Sequence, residues 1–142
     1  DVLAAELDQD VMTKVASVAA ETGAIIEVTS NPSSLQDADV LYTDIWASMG
    51  EEEQIPERVK LLTPFRVNRE MLEATANNDV IFLHCLPSFH DFETKMAKSQ
   101  MELGYDIREV TDEVFRSRHS KVFDEAENRM HSIKAVIVAT LG

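Results

Sequence analysis

Apolar and polar residues alternate along this chain in blocks that read as helix, strand, helix, strand. Val11, Val15, Val18 and Ala19 recur at helical spacing, with Asp8 or Asp10 placed to cap the start and Gly23 to stop the end, so a helix is predicted from about Asp8 to Thr22. Ala24-Ile25-Ile26-Glu27-Val28-Thr29 follows at once, rich in β-branched residues, and predicts a strand. A turn at Asn31-Pro32-Ser33-Ser34 and a short helix from Leu35 to Ala38 lead into Val40-Leu41-Tyr42-Thr43, a second strand that ends in Asp44. Ile45 to Gly50 has no period and reads as a loop. Glu51-Glu52-Glu53 suits the positive end of a helix running to about Leu62, with Pro56 early enough to be tolerated or to shift its true start. Thr63-Pro64-Phe65 breaks it, and Asn68 caps a further short helix, Arg69 to Ala76, with Met71 and Leu72 facing inward.

The third apolar run, Val80-Ile81-Phe82-Leu83-His84-Cys85-Leu86-Pro87, reads as a strand buried on both faces whose polar residues collect at its carboxyl end. Helices alternating with strands in this order indicate an α/β domain with a parallel sheet. In such sheets ligands sit beyond the carboxyl ends of the strands, which makes His84 to Pro87 the first candidate for a site. Pro87 holds Leu86 extended and permits a cis peptide. Further on, a helix from Glu93 to Leu103 ending at Gly104, a short last strand over Ile107 to Val110, and a helical turn capped by Thr111 are expected. Arg116 to Lys121 is the one locally basic segment and reads as an exposed loop. The last helix, about Asp124 to Leu141, is apolar on nearly every side from Ile133 onward, and such a helix must be buried all round. One sheet face cannot do that, so a second partner outside this sequence is expected.

Composition narrows the picture. At 142 residues the chain fits one domain, large enough to bury about two-thirds of its unfolded surface. One cysteine excludes an internal disulfide framework and suits a reducing, cytoplasmic compartment. No apolar run has the length of a membrane span, and no targeting pattern opens the chain. Twenty-six acidic against thirteen basic residues give a formal charge of −13, which repels nucleic acid and anionic lipid. An anionic substrate would be repelled too, unless positive charge came from outside the chain. With Asp1 first and no initiator methionine, the sequence reads as a piece of something longer.

Three groups are placed to meet above the sheet: Asp44 with Ser48 and Met49, then His84, Cys85 and Leu86, then Arg129, with His131 near it. An aspartate holds or helps deprotonate an amine, a thiol relays a weak hydrogen bond, and a guanidinium polarises an oxygen that gains negative charge. Together they suit amine attack on a carbonyl. Other chemistries fit less well. Adjacent strand residues point to opposite faces, so His84 and Cys85 do not form a hydrolase dyad. His84, Cys85, His90 and His119 lack ligand pairs at zinc-finger spacing, and Glu51, Glu52 and Glu53 point different ways around a helix, so no metal is expected. No phosphate-cradling glycine motif occurs.

His84-Cys85-Leu86-Pro87, with Asp44-Ile45-Trp46-Ala47-Ser48-Met49-Gly50-Glu51 upstream and Asp124-Glu125-Ala126-Glu127-Asn128-Arg129-Met130-His131 downstream, resembles the ornithine carbamoyltransferases. Phe89-His90-Asp91 and Glu109-Val110-Thr111-Asp112-Glu113-Val114-Phe115 stand between these motifs in the matching order. The resemblance covers essentially the whole chain and implies a three-layer, Rossmann-like α/β domain with a mainly parallel sheet, incomplete at its amino-terminal end. Residues 1–142 would be most of the family's carboxyl-terminal, ornithine-binding domain. It further implies transfer of a carbamoyl group from carbamoyl phosphate to the δ-amine of L-ornithine, giving citrulline and phosphate without metal or cofactor, in arginine biosynthesis or breakdown.

By that resemblance Asp44, Cys85 and Arg129 are the catalytic residues. Asp44 would hold the amino end of ornithine, Ser48 and the Met49 main chain its amino-acid head, and Cys85 would lie beside the reacting amine. The Leu86 carbonyl, turned inward by a cis bond to Pro87, would bind the carbamoyl NH2, and Arg129 the carbamoyl oxygen. His84 belongs to the motif without a definite role. The family's Ser-Thr-Arg-Thr-Arg phosphate-binding segment belongs to an amino-terminal domain and is absent from these residues. The chain alone is therefore expected to be inactive, with that domain covering the final helix, and the full-length protein to form a homo-oligomer, a trimer or a multiple. A non-catalytic binding module of the same fold, or a carbamoyltransferase for another amine, is the alternative.

Overall fold

The computed structural model describes residues 8–47 and 50–141. They fall into two compact units, divided after Ser34. In the first, helix α1 (Gln9–Thr22) starts where expected because the Asp8 carboxylate accepts the Asp10 and Val11 N–H groups at 2.8 and 3.1 Å. It stops at Gly23, which adopts the left-handed φ of 76° that a side chain would resist and donates its N–H to Ala19 O. The strand expected over Ala24–Thr29 does not form: these residues pair with no other segment among the described residues, and Ile25 is 93 % exposed. Their β-branched composition favours an extended backbone, but a strand exists only through a hydrogen-bonded neighbour.

The second unit is built on a parallel pair, β1 (Val40–Thr43) and β2 (Ile81–His84), in register from Val40 opposite Ile81 to Thr43 opposite His84. This is the α/β class read from the alternation. Between the strands run a 3-10 turn at Glu52–Gln54, α2 (Ile55–Leu62) and α3 (Arg69–Ala74). Pro56 moves the regular start of α2 to Ile55, since proline fits a first turn whose N–H groups have no helical partner. Asn68 caps α3 by accepting the Met71 N–H at 2.9 Å. After β2 come α4 (Lys95–Glu102), α5 (Asp112–Phe115) and the 20-residue α6 (Val122–Leu141).

Phe82 and His84 project from one face of β2 and are 0 and 1 % exposed. Phe82 joins Leu41, Val67, Val80, Val110, Val114, Phe115 and Val122 in the larger core, while Ile55, Ala97 and Ile107 centre a smaller one. Ile81, Leu83 and Cys85 are half-buried, so the strand is fully covered on one face only, not on both as its apolar run suggests. The last strand expected at Ile107–Val110 reduces to a single bridge, Val110 to Val67. The basic segment, expected as a free loop, instead runs beside β2: Phe82 N–H donates to His119 O at 2.8 Å and Lys121 N–H to Phe82 O at 2.9 Å. An edge strand needs partners for its main chain whatever side chains its neighbour carries, and Arg116 and Lys121 keep theirs in solvent. In α6 every residue from Ala126 to Leu141 is exposed, including Val136 and Val138 at 62 and 63 %.

Candidate functional site

Both strands end on one side in a parallel pair, and this puts Asp44, one residue past β1, beside Cys85, one residue past β2. The Cys85 Sγ donates to Asp44 Oδ1 at 2.8 Å, and the Ile45 N–H donates to the same oxygen at 2.7 Å. These two donors hold the Asp44 carboxyl below its usual pKa, the thiol contributing more than the amide. The reciprocal effect falls on Cys85. Partial burial, then the hydrogen bond and charge of Asp44, push the thiol above its ordinary value. At neutral pH the pair is a carboxylate accepting from a neutral thiol.

A second acidic group lies near. Tyr42 faces Glu125 on the first turn of α6, whose carboxylate raises the phenol by hydrogen bonding and by charge, and Glu125 also adds to the upward push on Cys85. The thiol therefore stands among negative charges, an environment that attracts an ammonium group and discourages a thiolate nucleophile.

The loop that leaves β1 is fixed by packing and by one arginine. Trp46 is 6 % exposed, and the Arg66 guanidinium lies 5.4 Å from the centre of its ring. Arg58 donates to Trp46 O at 2.8 Å and reaches Glu51 at 3.1 Å through both terminal nitrogens. Both ends of the loop are thus tied to α2. Ser48 and Met49, between them, lie outside the described residues.

On the β2 side the Leu86–Pro87 peptide is cis. Leu86 is 40 % exposed, just past the carboxyl end of β2. His84 turns away from Cys85 into the core, where its Nε2 faces Glu109 Oε2 at 3.6 Å. Arg129 stands on the exposed part of α6 and makes no side-chain hydrogen bond or ion pair among the described residues. The structure thus brings Asp44 and Cys85 into contact, with Leu86 next in sequence, and gives Arg129 no hydrogen bond or ion pair to either among the described residues. His131 is exposed on the same helix.

Glu109, Glu125 and Tyr42 were not singled out by sequence reasoning. Glu109 carries a visible signal, a carboxylate inside the otherwise core-forming Ile107 to Val110 stretch. Glu125 reads on sequence only as a favourable charge at a helix start. His84, Cys85, His90 and His119 do not form a metal-ligand cluster. Among the described residues one trio brings ligand atoms within 4.8 Å, His90, Asp91 and Asp112. Arg116 already pairs with both of these aspartates, at 2.8 Å to Asp112 and 3.5 Å to Asp91. His90 itself stacks on Phe115 at 3.7 Å. These contacts read as an ion-pair network closing a turn. No helix among the described residues is long and apolar enough to cross a membrane.

Residues 3–140 match the family model of the aspartate/ornithine carbamoyltransferase Asp/Orn binding domain. A catabolic ornithine carbamoyltransferase of Clostridium perfringens is 59 % identical over 138 residues, covering 95 % of this chain and 42 % of that protein. The anabolic ornithine carbamoyltransferase of Campylobacter jejuni superposes with a TM-score of 0.75 at 30 % identity, over 94 % of this chain and 39 % of that one. An acetylornithine transcarbamylase complexed with acetylcitrulline superposes at 0.70 with 28 % identity, over 96 and 36 %. The chain thus spans about two-fifths of the length of the relatives it matches.

Proposed function

The chain belongs to the aspartate/ornithine carbamoyltransferase family as its Asp/Orn binding domain, and we propose that it is the ornithine-binding part of an enzyme that carbamoylates the δ-amine of L-ornithine. The observation that carries this reading is the 2.8 Å contact between the Cys85 thiol and the Asp44 carboxylate at the mouth of a parallel strand pair. Ornithine's δ-amine is protonated in water, with a pKa of about 10, and cannot attack until it loses that proton. An ionised Asp44, with Glu125 behind it, draws the ammonium in, and the neutral Cys85 thiol stands beside it without competing as a nucleophile. The first proton leaves past the Asp44–Cys85 pair to solvent. The nitrogen lone pair then forms a bond to the carbamoyl carbon of carbamoyl phosphate, the bond from that carbon to the phosphate oxygen breaks, and phosphate departs with that electron pair and takes up the second proton from the attacking nitrogen.

In this reading the Leu86 carbonyl accepts from the carbamoyl NH2, and Arg129 meets the carbamoyl oxygen as it becomes negative. Ser48 and the Met49 main chain hold the amino-acid head of ornithine. Seating of α6 would hold Arg129 for this role, and the apolar surface of that helix is the reason to expect seating. We propose that it packs against an amino-terminal, carbamoyl-phosphate-binding domain outside residues 1–142. That domain would supply the positive charge that a chain of net charge −13 lacks. The assembly is a soluble homo-oligomer in this proposal, and the chain alone is inactive.

A second amine is the competing reading, because solved acetylornithine transcarbamylases share this fold at 28 % identity. An unmodified α-amine is favoured by the higher identity to proteins named ornithine carbamoyltransferase. The test is a competition assay on the full-length protein with ornithine, acetylornithine and putrescine at equal concentration. Citrulline as the dominant product supports the proposal; acetylcitrulline or carbamoylputrescine as the dominant product overturns it.

A further inference from the structure

The reaction proposed above uses Cys85 and the Leu86 carbonyl but gives no work to the buried pair beside them. His84 and Glu109 are 1 and 0 % exposed. Burying an acid against a base carries a large desolvation penalty, and apolar residues of similar volume often serve stability as well or better. The pair therefore calls for an explanation beyond core filling.

Its contacts supply one. His84 Nδ1 meets the main-chain carbonyl oxygen of Cys85. Glu109 Oε2 accepts the Phe89 N–H at 2.7 Å, and the Glu109 N–H donates to Phe89 O at 3.0 Å. Both ends of the segment Cys85 to Phe89 are thus fastened to this one pair, while Leu86, Pro87 and Ser88 between them make no main-chain hydrogen bond of their own among the described residues. Glu109 is itself on a braced segment. Arg66 donates to Arg108 O at 2.7 Å and to Asp106 O at 2.9 Å, and Val67 N–H donates to Glu109 O at 3.0 Å.

We propose that His84 and Glu109 are positioning residues for carbamoyl transfer: a buried clip that fixes the Cys85–Phe89 loop so that the thiol and the Leu86 carbonyl keep their places around the reacting amine and carbamoyl group. This rests on the carbamoyl-transfer reading. The clip works fully with a charged ring. A neutral imidazole has one N–H, so with Nδ1–H given to the Cys85 carbonyl it turns a bare Nε2 toward the Glu109 carboxylate. Burial disfavours the imidazolium, but Glu109, the Cys85 carbonyl and the more distant Asp44 together outweigh it and raise the ring's pKa.

The test uses the full-length protein, with Glu109→Gln, His84→Gln and the double variant. Glutamine at 109 still accepts the Phe89 N–H but removes the charge. The clip predicts that Glu109→Gln keeps the circular dichroism and assembled mass of the parent, that KM for both substrates moves less than about threefold, and that kcat falls by about tenfold or more as the loop loses its placement. Hydrogen exchange in the peptide spanning Cys85–Phe89 speeds up, and the double variant is no worse than the poorer single one, because the two residues act as a unit. A folded Glu109→Gln protein with kcat within about twofold of the parent, or a double variant whose loss is the product of the single losses, overturns the proposal. In the unsubstituted protein, ¹⁵N shifts followed against pH are expected to show the His84 ring keeping its second proton to higher pH than an ordinary histidine; a ring that loses it at the ordinary pH or below overturns it without any variant. A parent that forms no carbamoylated amine overturns the functional reading instead, and the ring shifts and exchange rates then judge the clip by themselves.

Discussion

Replacing Asp44 by asparagine removes a charge while leaving a side chain of the same shape beside Cys85, so it isolates the electrostatic part of their contact. The Sγ to Oδ1 distance is 2.8 Å. Asp44 is exposed and Cys85 half-buried, which sets the appropriate screening near that of water. For a thiolate beside a carboxylate at that distance the repulsion is then about 1.5 kcal/mol. Asp44→Asn should therefore lower the apparent pKa of Cys85. Because the chain has a single cysteine, the rate of alkylation by iodoacetamide as a function of pH reads this group alone. The sign is fixed: the variant thiol must react faster than the parent at pH 8. An unchanged or raised pKa would show that Asp44 does not hold the thiol protonated, and the neutral-thiol assignment on which the amine chemistry rests would fall.

Phe82→Ala empties the centre of the larger core and should cost about 3–5 kcal/mol, read as a lowered urea midpoint, since the side chain is completely buried; a loss under 1 kcal/mol would mean that the β1–β2 unit is not the stability core. Burial pushes the Asp106 carboxyl up, but hydrogen bonds from Arg108 and the charges of Arg66 and Arg108 bring it below its ordinary value. A depressed folded-state pKa stabilises above the unfolded value and loses that contribution as pH falls through the folded one. Asp106→Asn should accordingly flatten the acid side of a stability-versus-pH curve, and equal slopes in parent and variant would contradict the network. Gly23→Ala should destabilise the carboxyl end of α1 by about 1–2 kcal/mol because φ is 76°, with no steric share since the space around it is open; amide exchange through Ala19 to Gly23 measures it.

Local signals were legible in the sequence wherever one residue decides. Asp8 and Gly23 bound α1, Asn68 starts α3, and the apolar runs at Val40 and Ile81 become the parallel pair. The residues just past those strands, Asp44 and Cys85, meet because a parallel sheet puts successive strand ends on one side, which follows from element order alone. What depended on pairing was not legible. Ala24–Thr29 has strand composition but no hydrogen-bonded neighbour strand among the described residues, and His119 to Lys121 has loop composition but supplies the main-chain groups that β2 lacked. Glu109 escaped notice for a related reason: its partners, His84 and Phe89, are 20 or more residues away, and periodicity carries no information over that distance. Arg129 marks the boundary of both approaches. Its motif is plain in the sequence, yet its side chain makes no hydrogen bond or ion pair among the described residues, and the apolar helix that carries it is exposed throughout residues 126–141.

The central claim is that these residues form the amine-binding part of a two-domain carbamoyltransferase. Citrulline formation from ornithine and carbamoyl phosphate, followed in parallel for the 142-residue chain and for the full-length protein, tests it directly. Citrulline is expected from the full-length protein and none from the chain alone; turnover by the isolated chain, or a folded full-length protein that forms no citrulline, would contradict this assignment.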